Sequence, residues 1–281
     1  MAFEVLMNGV GDAFSTVHFG TNFLLRKEDF VLAVDCPDSY RRSLSVNDFK
    51  HQEGSLDVGD IDAMIITHLH GDHVNGLEMA AAYRSFALDD PLTIYTSPEA
   101  AAELWDKRLA VSLGTVWDGQ AYRKTAPQEF FTLTEMPWTS KTTIGPFEIE
   151  TRLTVHHIPT MAMRICDGEH TLGYSCDTVF DPELIGWLSD SDLILHESTF
   201  GKAHTPLHEL MGLEEELRDK MLVVHYPDEL AGAELDELEL AEHHHLLDRL
   251  SVGHLEGNLH HLLARLVAAD GGDAGAKINE A

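Results

Sequence analysis

The hydrophobic positions in the first part of the chain fall in short runs that are separated by polar turns. Residues 23–25 and 30–34 are apolar and flank the charged turn 26–29, and residues 63–67 are rich in β-branched side chains. Runs of this length and composition predict strands. Similar runs predict further strands at residues 92–96, 147–155, 171–175, 193–196 and 221–225.

Helices are predicted between several of these strands. Ser97 followed by Pro98 marks a helix start, because proline is favoured at the first helical position. The predicted helices cover residues 77–86, 98–110, 182–188 and 207–220. Strands that alternate with helices indicate an α/β fold with layers around sheets.

The composition changes after Pro227, where no further strand-like run occurs. The leucines of the last part of the chain lie at helical spacing: Leu259, Leu262, Leu263 and Leu266. The acidic stretch 234–242 is expected to form a solvated helix face. The pattern therefore predicts one domain over residues 1–227 and a helical extension over residues 228–281.

The charge of the chain restricts its partners. Its 281 residues include 48 acidic and 19 basic side chains, for a net charge of −29. Such a surface repels polyanions at long range, and a long nucleic acid would need a basic cluster, which does not stand out in the sequence. No run approaches the 18 apolar residues expected of a membrane span.

The cysteines and the start of the chain bear on its location. Cys36, Cys166 and Cys176 match neither a disulfide framework nor a thiolate zinc motif, and an odd number cannot all pair. The first residues lack the basic and apolar regions of a secretion signal. A reduced, cytoplasmic compartment is therefore expected.

A cluster of metal-ligating side chains directly follows the strand predicted over residues 63–67. The segment reads Thr-His-Leu-His-Gly-Asp-His and supplies His68, His70, Asp72 and His73. Imidazole and carboxylate together suit zinc, manganese or iron. At the end of a strand, the first two histidines can turn to one ion, and the aspartate and last histidine to a second. Gly71 would permit the sharp backbone path between the two pairs.

The His-x-His-x-Asp-His motif resembles the signature of the metallo-β-lactamase superfamily. Residues 66–77, Ile-Thr-His-Leu-His-Gly-Asp-His-Val-Asn-Gly-Leu, are most similar to the branch of the tRNA 3′-processing endonuclease RNase Z and its phosphodiesterase relatives. The resemblance extends over residues 1–227. It implies hydrolytic activity and a four-layered αβ/βα sandwich, with two divalent metal ions at one edge of its two sheets.

The resemblance implies three further ligands, each after a predicted strand. A histidine that precedes a proline and an arginine is matched by the pair His156-His157, and the spacing favours His156. A bridging aspartate is matched by Asp177 in Tyr-Ser-Cys-Asp-Thr, and a late histidine by His225. One ion would be held by His68, His70 and His156, the other by Asp72, His73 and His225, and Asp177 would bridge them.

Another stretch resembles a motif of the RNase Z branch. Residues 196–200, His-Glu-Ser-Thr-Phe, are similar to its His-Glu-Ala-Thr-Phe motif. This implies that His196 acts beside the metals as an acid for the leaving oxygen, while Asp72 positions the attacking water and takes its proton. The alternative for His196 is a buried structural histidine beside a strand. His204 and His208 are candidates either for phosphate contacts or for a helix-capping loop. Asp35 matches an aspartate that orients a ligand histidine.

Two departures from RNase Z favour a small substrate. Only residues 164–171 stand where many RNase Z enzymes carry a tRNA-binding arm, and Met163 replaces a tyrosine. The resemblance and the acidic charge together predict hydrolysis of a small or single-stranded phosphodiester, such as a cyclic nucleotide, with two divalent ions that are zinc, or else manganese or iron.

Several alternatives are open. An RNase Z-type tRNA endonuclease, or a lactone, thioester or β-lactam hydrolase, would use the same ligands. A redox di-iron protein is disfavoured, because it usually has a carboxylate at the position of His70, and the complete ligand set disfavours a non-catalytic binding module. A homodimer is expected, with the histidines at 243–245 and 260–261 on its surface or interface.

Overall fold

The computed structural model describes residues 3–46, 56–138, 140–230 and 238–241, all within the first of two units of the chain, Met1–Ser251. In chain order, its strands are β1 (Glu4–Gly9), β2 (Asn22–Lys27), β3 (Phe30–Val34), β4 (Ala63–Ile66), β5 (Leu92–Thr96), β6 (Thr115–Trp117), β7 (Tyr122–Lys124), β8 (Phe131–Glu135), β9 (Thr142–Ile144), β10 (Phe147–Leu153), β11 (Met161–Cys166), β12 (Thr171–Tyr174), β13 (Leu193–Glu197), β14 (Met221–Val224) and β15 (Glu239–Leu240). The strands expected from the apolar runs are therefore present.

Two large sheets contain most of these strands. The first has the order β1-β2-β3-β4-β5-β8, the second has the order β15-β14-β13-β12-β11-β10-β9, and β6 pairs with β7. Strands β3, β4, β5 and β8 run parallel, as do β12, β13, β14 and β15. Parallel strands place their carboxyl ends at one edge of a sheet, where binding sites form. His68, Asp177 and His225 follow three of these ends.

Most of the predicted helices are present, although several have other bounds. The helices are α1 (Tyr40–Val46), α2 (Gly71–Val74), α3 (Leu77–Tyr83), α4 (Pro98–Glu103), α5 (Ala110–Leu113), α6 (Pro182–Leu188), α7 (Leu207–Met211) and α8 (Glu215–Arg218). The helix predicted over 98–110 is present and runs on to Leu113, with a π-helical stretch at Leu104–Leu109 between α4 and α5. The helix predicted over 77–86 likewise continues from α3 into a π-helical stretch at Arg84–Leu88. The single helix predicted over 207–220 is wrong, because Gly212 ends α7. The helix over 182–188 is confirmed.

The sheets and helices form layers. Phe23 of β2 points between the two sheets and meets Tyr174 of β12 edge to face, with ring centroids 5.0 Å apart. Leu24, the next residue, faces the other side of its sheet and packs with the helices, because successive side chains of a strand alternate. On the second sheet, Leu188 of α6 packs against Gly173 of β12. The layered α/β sandwich expected from the sequence is confirmed.

The second sheet continues beyond residue 227. The strand β15 pairs in parallel with β14, so the expectation that no strand follows Pro227, and that residues 234–242 form a helix, was wrong for Glu239–Leu240. Apart from residues 228–230 and 238–241, the extension predicted for 228–281 lies outside the described residues, including the histidines at 243–245 and 260–261. No helix among the described residues is long and apolar enough to cross a membrane.

Candidate metal centre

The side chains named as ligands converge at the carboxyl edge of the two sheets. His68 comes two residues after the end of β4, and His70 is the residue before α2. Asp177 and His225 arrive from the second sheet, after β12 and β14. His156 follows β10, which ends at Leu153, two residues before the predicted end of the strand, and it lies in the irregular segment that comes next.

One group of donor atoms comes from His68, His70, His156 and Asp177. His70 Nδ1 lies 3.1 Å from His68 Nε2 and 3.0 Å from His156 Nε2. Asp177 Oδ2 lies 3.7 Å from His68 Nε2 and 3.6 Å from His156 Nε2. The neighbouring His157 is exposed and is not in this group. We call these four residues the first half-site.

A second group comes from Asp72, His73, His225 and again Asp177. Asp72 Oδ2 lies 3.1 Å from His225 Nε2 and 3.4 Å from His73 Nε2. Asp177 turns its other oxygen to this group, with Oδ1 at 3.3 Å from His73 Nε2 and 3.7 Å from His225 Nε2. We call these residues the second half-site. Asp177 is thus common to both, with one oxygen in each.

In His73 and His156, one ring nitrogen is held by a hydrogen bond and the other faces a half-site. His73 Nδ1 lies 2.8 Å from Asp35 Oδ2, and His156 Nδ1 lies 3.0 Å from the carbonyl oxygen of Ala203. These acceptors place the proton on Nδ1 and free the Nε2 lone pair. His73 Nε2 and Asp177 Oδ1 are buried without a hydrogen-bond partner among the described residues. Such atoms fit metal ligands.

The charge states of the half-sites are those of a cation site. Burial alone would raise the pKa of Asp177, but His225 and His73 outweigh it and hold this pKa well below its usual range. Burial lowers the pKa of His68, and it lowers the pKa of His156 to about 4. In the second half-site, by contrast, Asp177 and the neighbouring carboxylates raise the pKa of His73 and His225. The first half-site thus sets an ionised carboxylate beside neutral imidazoles, a donor set that suits a divalent metal ion, and in the second a bound cation would replace the protons on His73 and His225.

The two ionisable residues of the His-Glu-Ser-Thr-Phe motif are adjacent in β13, where side chains alternate between faces. His196 is fully buried, and its Nδ1 lies 2.8 Å from the carbonyl oxygen of Glu197. Burial lowers the pKa of His196 to about 4. Among the described residues it belongs to neither half-site, so the structure does not bring it to the position expected of it.

Glu197 is the member of the motif that reaches the site. Its Oε1 lies 3.0 Å from His204 Nδ1. The ring of His204 in turn lies against both half-sites, with its centroid 5.1 Å from that of His156 and 5.6 Å from that of His225, on which it stacks. The motif thus lies beside the half-sites, but through Glu197, a residue to which the sequence analysis assigned no role.

Left-handed backbone brings several of these residues into place. Asp35 (φ 64°), Cys176 (φ 48°) and His225 (φ 52°) all have positive φ at the ends of their strands. Residues other than glycine rarely adopt this region, which is more common at functional sites. Gly71, predicted to supply such freedom, does not have positive φ, and a Cβ there would lie 2.9 Å from Asn75 Nδ2.

Comparison with known proteins identifies the family. Residues 3–247 match the sequence model of the family described as Anti-Pycsar protein Apyc1. The chain belongs to this family. An Apyc1 protein from Paenibacillus sp. (strain J14) is 31% identical over 246 residues, which cover 82% of this chain and 91% of that protein.

Solved structures confirm the fold. The metallo-β-lactamase fold protein YhfI from Bacillus subtilis has a TM-score of 0.61 and 22% identity, and the match covers 81% of this chain and 88% of that one. The short form of human tRNase Z has a TM-score of 0.61 and 19% identity, covering 85% and 96%. This Apyc1 family member is a hydrolase of the metallo-β-lactamase fold with a ligand set for divalent metal ions.

Proposed function

We propose that the chain is a two-metal phosphodiesterase that hydrolyses a small phosphodiester, with a cyclic nucleotide as the preferred class. The observation that carries the proposal is the shared Asp177, which turns Oδ2 to the first half-site and Oδ1 to the second. Two divalent ions bound there would lower the pKa of a water molecule and offset the charge of the reacting phosphate. We propose zinc, because imidazole nitrogens dominate the donor set.

The residues of the chain supply the proton transfers. Asp72, ionised because His73 and His225 lower its pKa against the effect of burial, would position the attacking water and take its proton. The water oxygen bonds to phosphorus while the P–O bond in line with it breaks. The leaving oxygen then needs a proton. We assign this proton to His204, held by Glu197, in place of His196.

The outer surface of the site favours a small substrate. Strands β11 and β12 form a tight hairpin, with Cys166 paired to Thr171, so the segment 164–171 is not a tRNA-binding arm. A long RNA binds by neutralising several phosphates, which an acidic chain of net charge −29 opposes. This disfavours the alternative of a tRNA endonuclease.

Three further expectations stay proposals. We propose a reducing, cytoplasmic setting, because Cys36, Cys166 and Cys176 are all free. The homodimer stays a prediction. The division into a catalytic domain and an extension after residue 227 also stays a prediction, except that β15 belongs to the second sheet.

A substrate panel with metal analysis tests the function. Protein never exposed to chelator should contain about two metal ions per chain, one for each half-site. It should cleave bis-p-nitrophenyl phosphate and a cyclic mononucleotide, and it should leave a lactone, nitrocefin and a 3′-extended tRNA largely intact. Asp177→Asn should abolish turnover, whereas Asp190→Asn, on the surface, should not. Efficient tRNA trimming without cleavage of the small diesters would overturn the proposal.

A further inference from the structure

A loop with exposed apolar side chains borders the second half-site. Residues 11–20, which we call the lip, connect β1 to β2. At one end, Gly11 forms a β-bridge with the residue that follows His225. At the other end, a Cβ added to Gly20 would lie 3.1 Å from the carbonyl oxygen of Asp72. Both ends of the lip are thus attached beside ligands of the same half-site.

Hydrogen bonds fix the lip in place. Asp228 accepts from the backbone nitrogen of Thr16 at 2.8 Å, from its hydroxyl at 2.9 Å, and from the hydroxyl of Ser15. Asp12 accepts from the hydroxyl of Thr199 at 2.6 Å and so ties the lip to the loop after β13. The backbone of the lip is therefore held on two sides.

Two exposed phenylalanines lie close in sequence to the Asp12–Thr199 contact, one on each of the two loops that it joins. Phe14 comes two residues after Asp12 and is 87% exposed, and Phe200 follows Thr199 and is 70% exposed. Single exposed apolar residues are ordinary. These two differ from scattered surface residues because the Asp12–Thr199 hydrogen bond joins their loops and both loops are attached beside metal ligands.

The loop that carries Phe200 is also a wall of the site. The carbonyl oxygen of Ala203 accepts from His156 Nδ1 at 3.0 Å. A Cβ added to Gly201 would lie 3.5 Å from the ring of His204. Beside Phe200 there is open space, a groove of about 320 Å³ whose lining includes Leu207, Pro227 and Leu230. This volume is at the lower end of small-molecule pockets.

We propose that Phe14 and Phe200 hold the base of a nucleotide by stacking, and so select nucleotide diesters over other phosphodiesters. This rests on the proposed phosphodiesterase function. A chain of net charge −29 does not attract an anion through its surface. Beyond the phosphate, affinity therefore has to come from uncharged contacts, and every base offers a π-face to an aromatic ring.

Calorimetry on the full-length, metal-loaded protein tests the proposal with two probes, a nucleoside monophosphate and inorganic phosphate. Phe14→Ala and Phe200→Ala should each weaken binding of the nucleotide about tenfold, as expected for one lost stacking contact. Binding of phosphate should stay within about twofold, because no base is present. Phe14→Tyr keeps the ring and should retain nucleotide affinity.

Phe86→Ala is the matched control. Phe86 is 61% exposed, but it lies in the π-helical stretch Arg84–Leu88 that precedes β5, away from the carboxyl edge of the sheet. Phe86→Ala should change neither the affinity for the nucleoside monophosphate nor the affinity for phosphate. Equal changes for nucleotide and phosphate in the Phe14 and Phe200 variants, or no change, would refute stacking. An altered sedimentation coefficient with unchanged nucleotide affinity would assign the two rings to contact between copies of the chain and refute it too.

Turnover separates this inference from the proposed function. A wild-type protein that binds the nucleoside monophosphate through both phenylalanines but cleaves no diester would refute the phosphodiesterase and leave the stacking role supported. If the wild type and the Phe14→Ala, Phe200→Ala double variant cleave cyclic nucleotides with the same KM, the phosphodiesterase function is supported and the stacking role is refuted.

Discussion

The carboxylate of Glu197 lies 3.0 Å from Nδ1 of His204 and orients a ring that stands against both half-sites. The same carboxylate oxygen accepts from the backbone nitrogen of Thr178 at 2.9 Å, so Glu197 is itself fixed. Burial and the charge of Asp177 raise the pKa of Glu197 well above its usual value, and Oε1 can accept a hydrogen bond whether or not the carboxyl group is protonated. A histidine whose Nδ1–H donates to this oxygen turns Nε2 away from it, and Nε2 can give up a proton when the ring is doubly protonated. In the proposed reaction, His204 would be the general acid and Glu197 its orienting partner.

We therefore expect the effect of His204→Ala to depend on the leaving group. For a cyclic nucleotide, kcat should fall roughly 10²- to 10⁴-fold, the usual contribution of general acid catalysis. For bis-p-nitrophenyl phosphate the loss should be much smaller, because p-nitrophenolate leaves without a proton. Steady-state kinetics on both substrates measure the difference.

His208→Ala is the control for this prediction. His208 lies in α7, four residues further along, with a side chain that is 78% exposed. It should leave both rates near those of the wild type. If His204→Ala slowed both substrates equally, His204 would bind substrate or support the ligands and would not be the acid.

The adjacent histidines after β10 provide a second prediction. His156→Ala should remove an ion from the first half-site and cost more than roughly 100-fold in metal affinity, since even the loss of an outer partner can cost that much. His157→Ala should change metal content and turnover little, because His157 is exposed and outside the donor group. Elemental analysis of both variants measures the number of metal ions bound per chain and tests this difference. Equal losses of metal would mean that the two residues exchange roles.

Asp35 provides a third prediction, through His73. Asp35 is fully buried and holds His73 Nδ1, while the backbone nitrogen of Thr67 donates to it at 2.8 Å. Asp35→Asn should weaken metal binding about 10- to 100-fold in a chelator competition assay. Asp62→Asn is the control, because Asp62 caps the backbone of Val31 at the other end of β3. Similar affinities in both variants would contradict the positioning role.

The buried His196 predicts a change of stability with pH. Its pKa falls from 6.5 to about 4 on folding, because of burial. Between these values the unfolded chain takes up a proton that the folded chain does not, so stability is complete above pH 6.5 and is lost as the pH falls toward 4. At pH 5 the loss amounts to about 2 kcal/mol.

His196→Leu removes this titration. Between pH 7.5 and pH 5, Tm of the variant should fall less than Tm of the wild type, by roughly 4–8 °C. Scanning calorimetry of both proteins at the two pH values gives the difference. Identical slopes would show that His196 is not buried in its neutral form.

Local sequence was sufficient to name the donor atoms that the structure brings together. Each ligand segment comes shortly after an apolar strand, and the parallel strands gather His68, Asp177 and His225 at one edge. Spacing also favoured His156, the member of the pair that lies in the donor group. These features depend on a few neighbouring residues, which is why they could be predicted.

The features that sequence reasoning missed depend on the fold. His196 and Glu197 are both polar at the end of an apolar strand, so only the position of the sheet decides which one faces the site. The strand β15 has two residues and exists through its pairing with β14. Cys176 has positive φ although no glycine marks the turn. None of these leaves a pattern in the amino-acid sequence.

The hydrogen bond between Ser15 and Asp228 joins residues that are 213 positions apart in the chain. Contacts between such distant residues raise the contact order and form late, because the intervening chain has to be in place first. During synthesis on the ribosome, the His68 to His73 segment emerges long before Asp228 does. The lip, which would receive the base, is therefore fixed in place last. A nascent chain could carry most of its metal ligands well before it could hold a nucleotide.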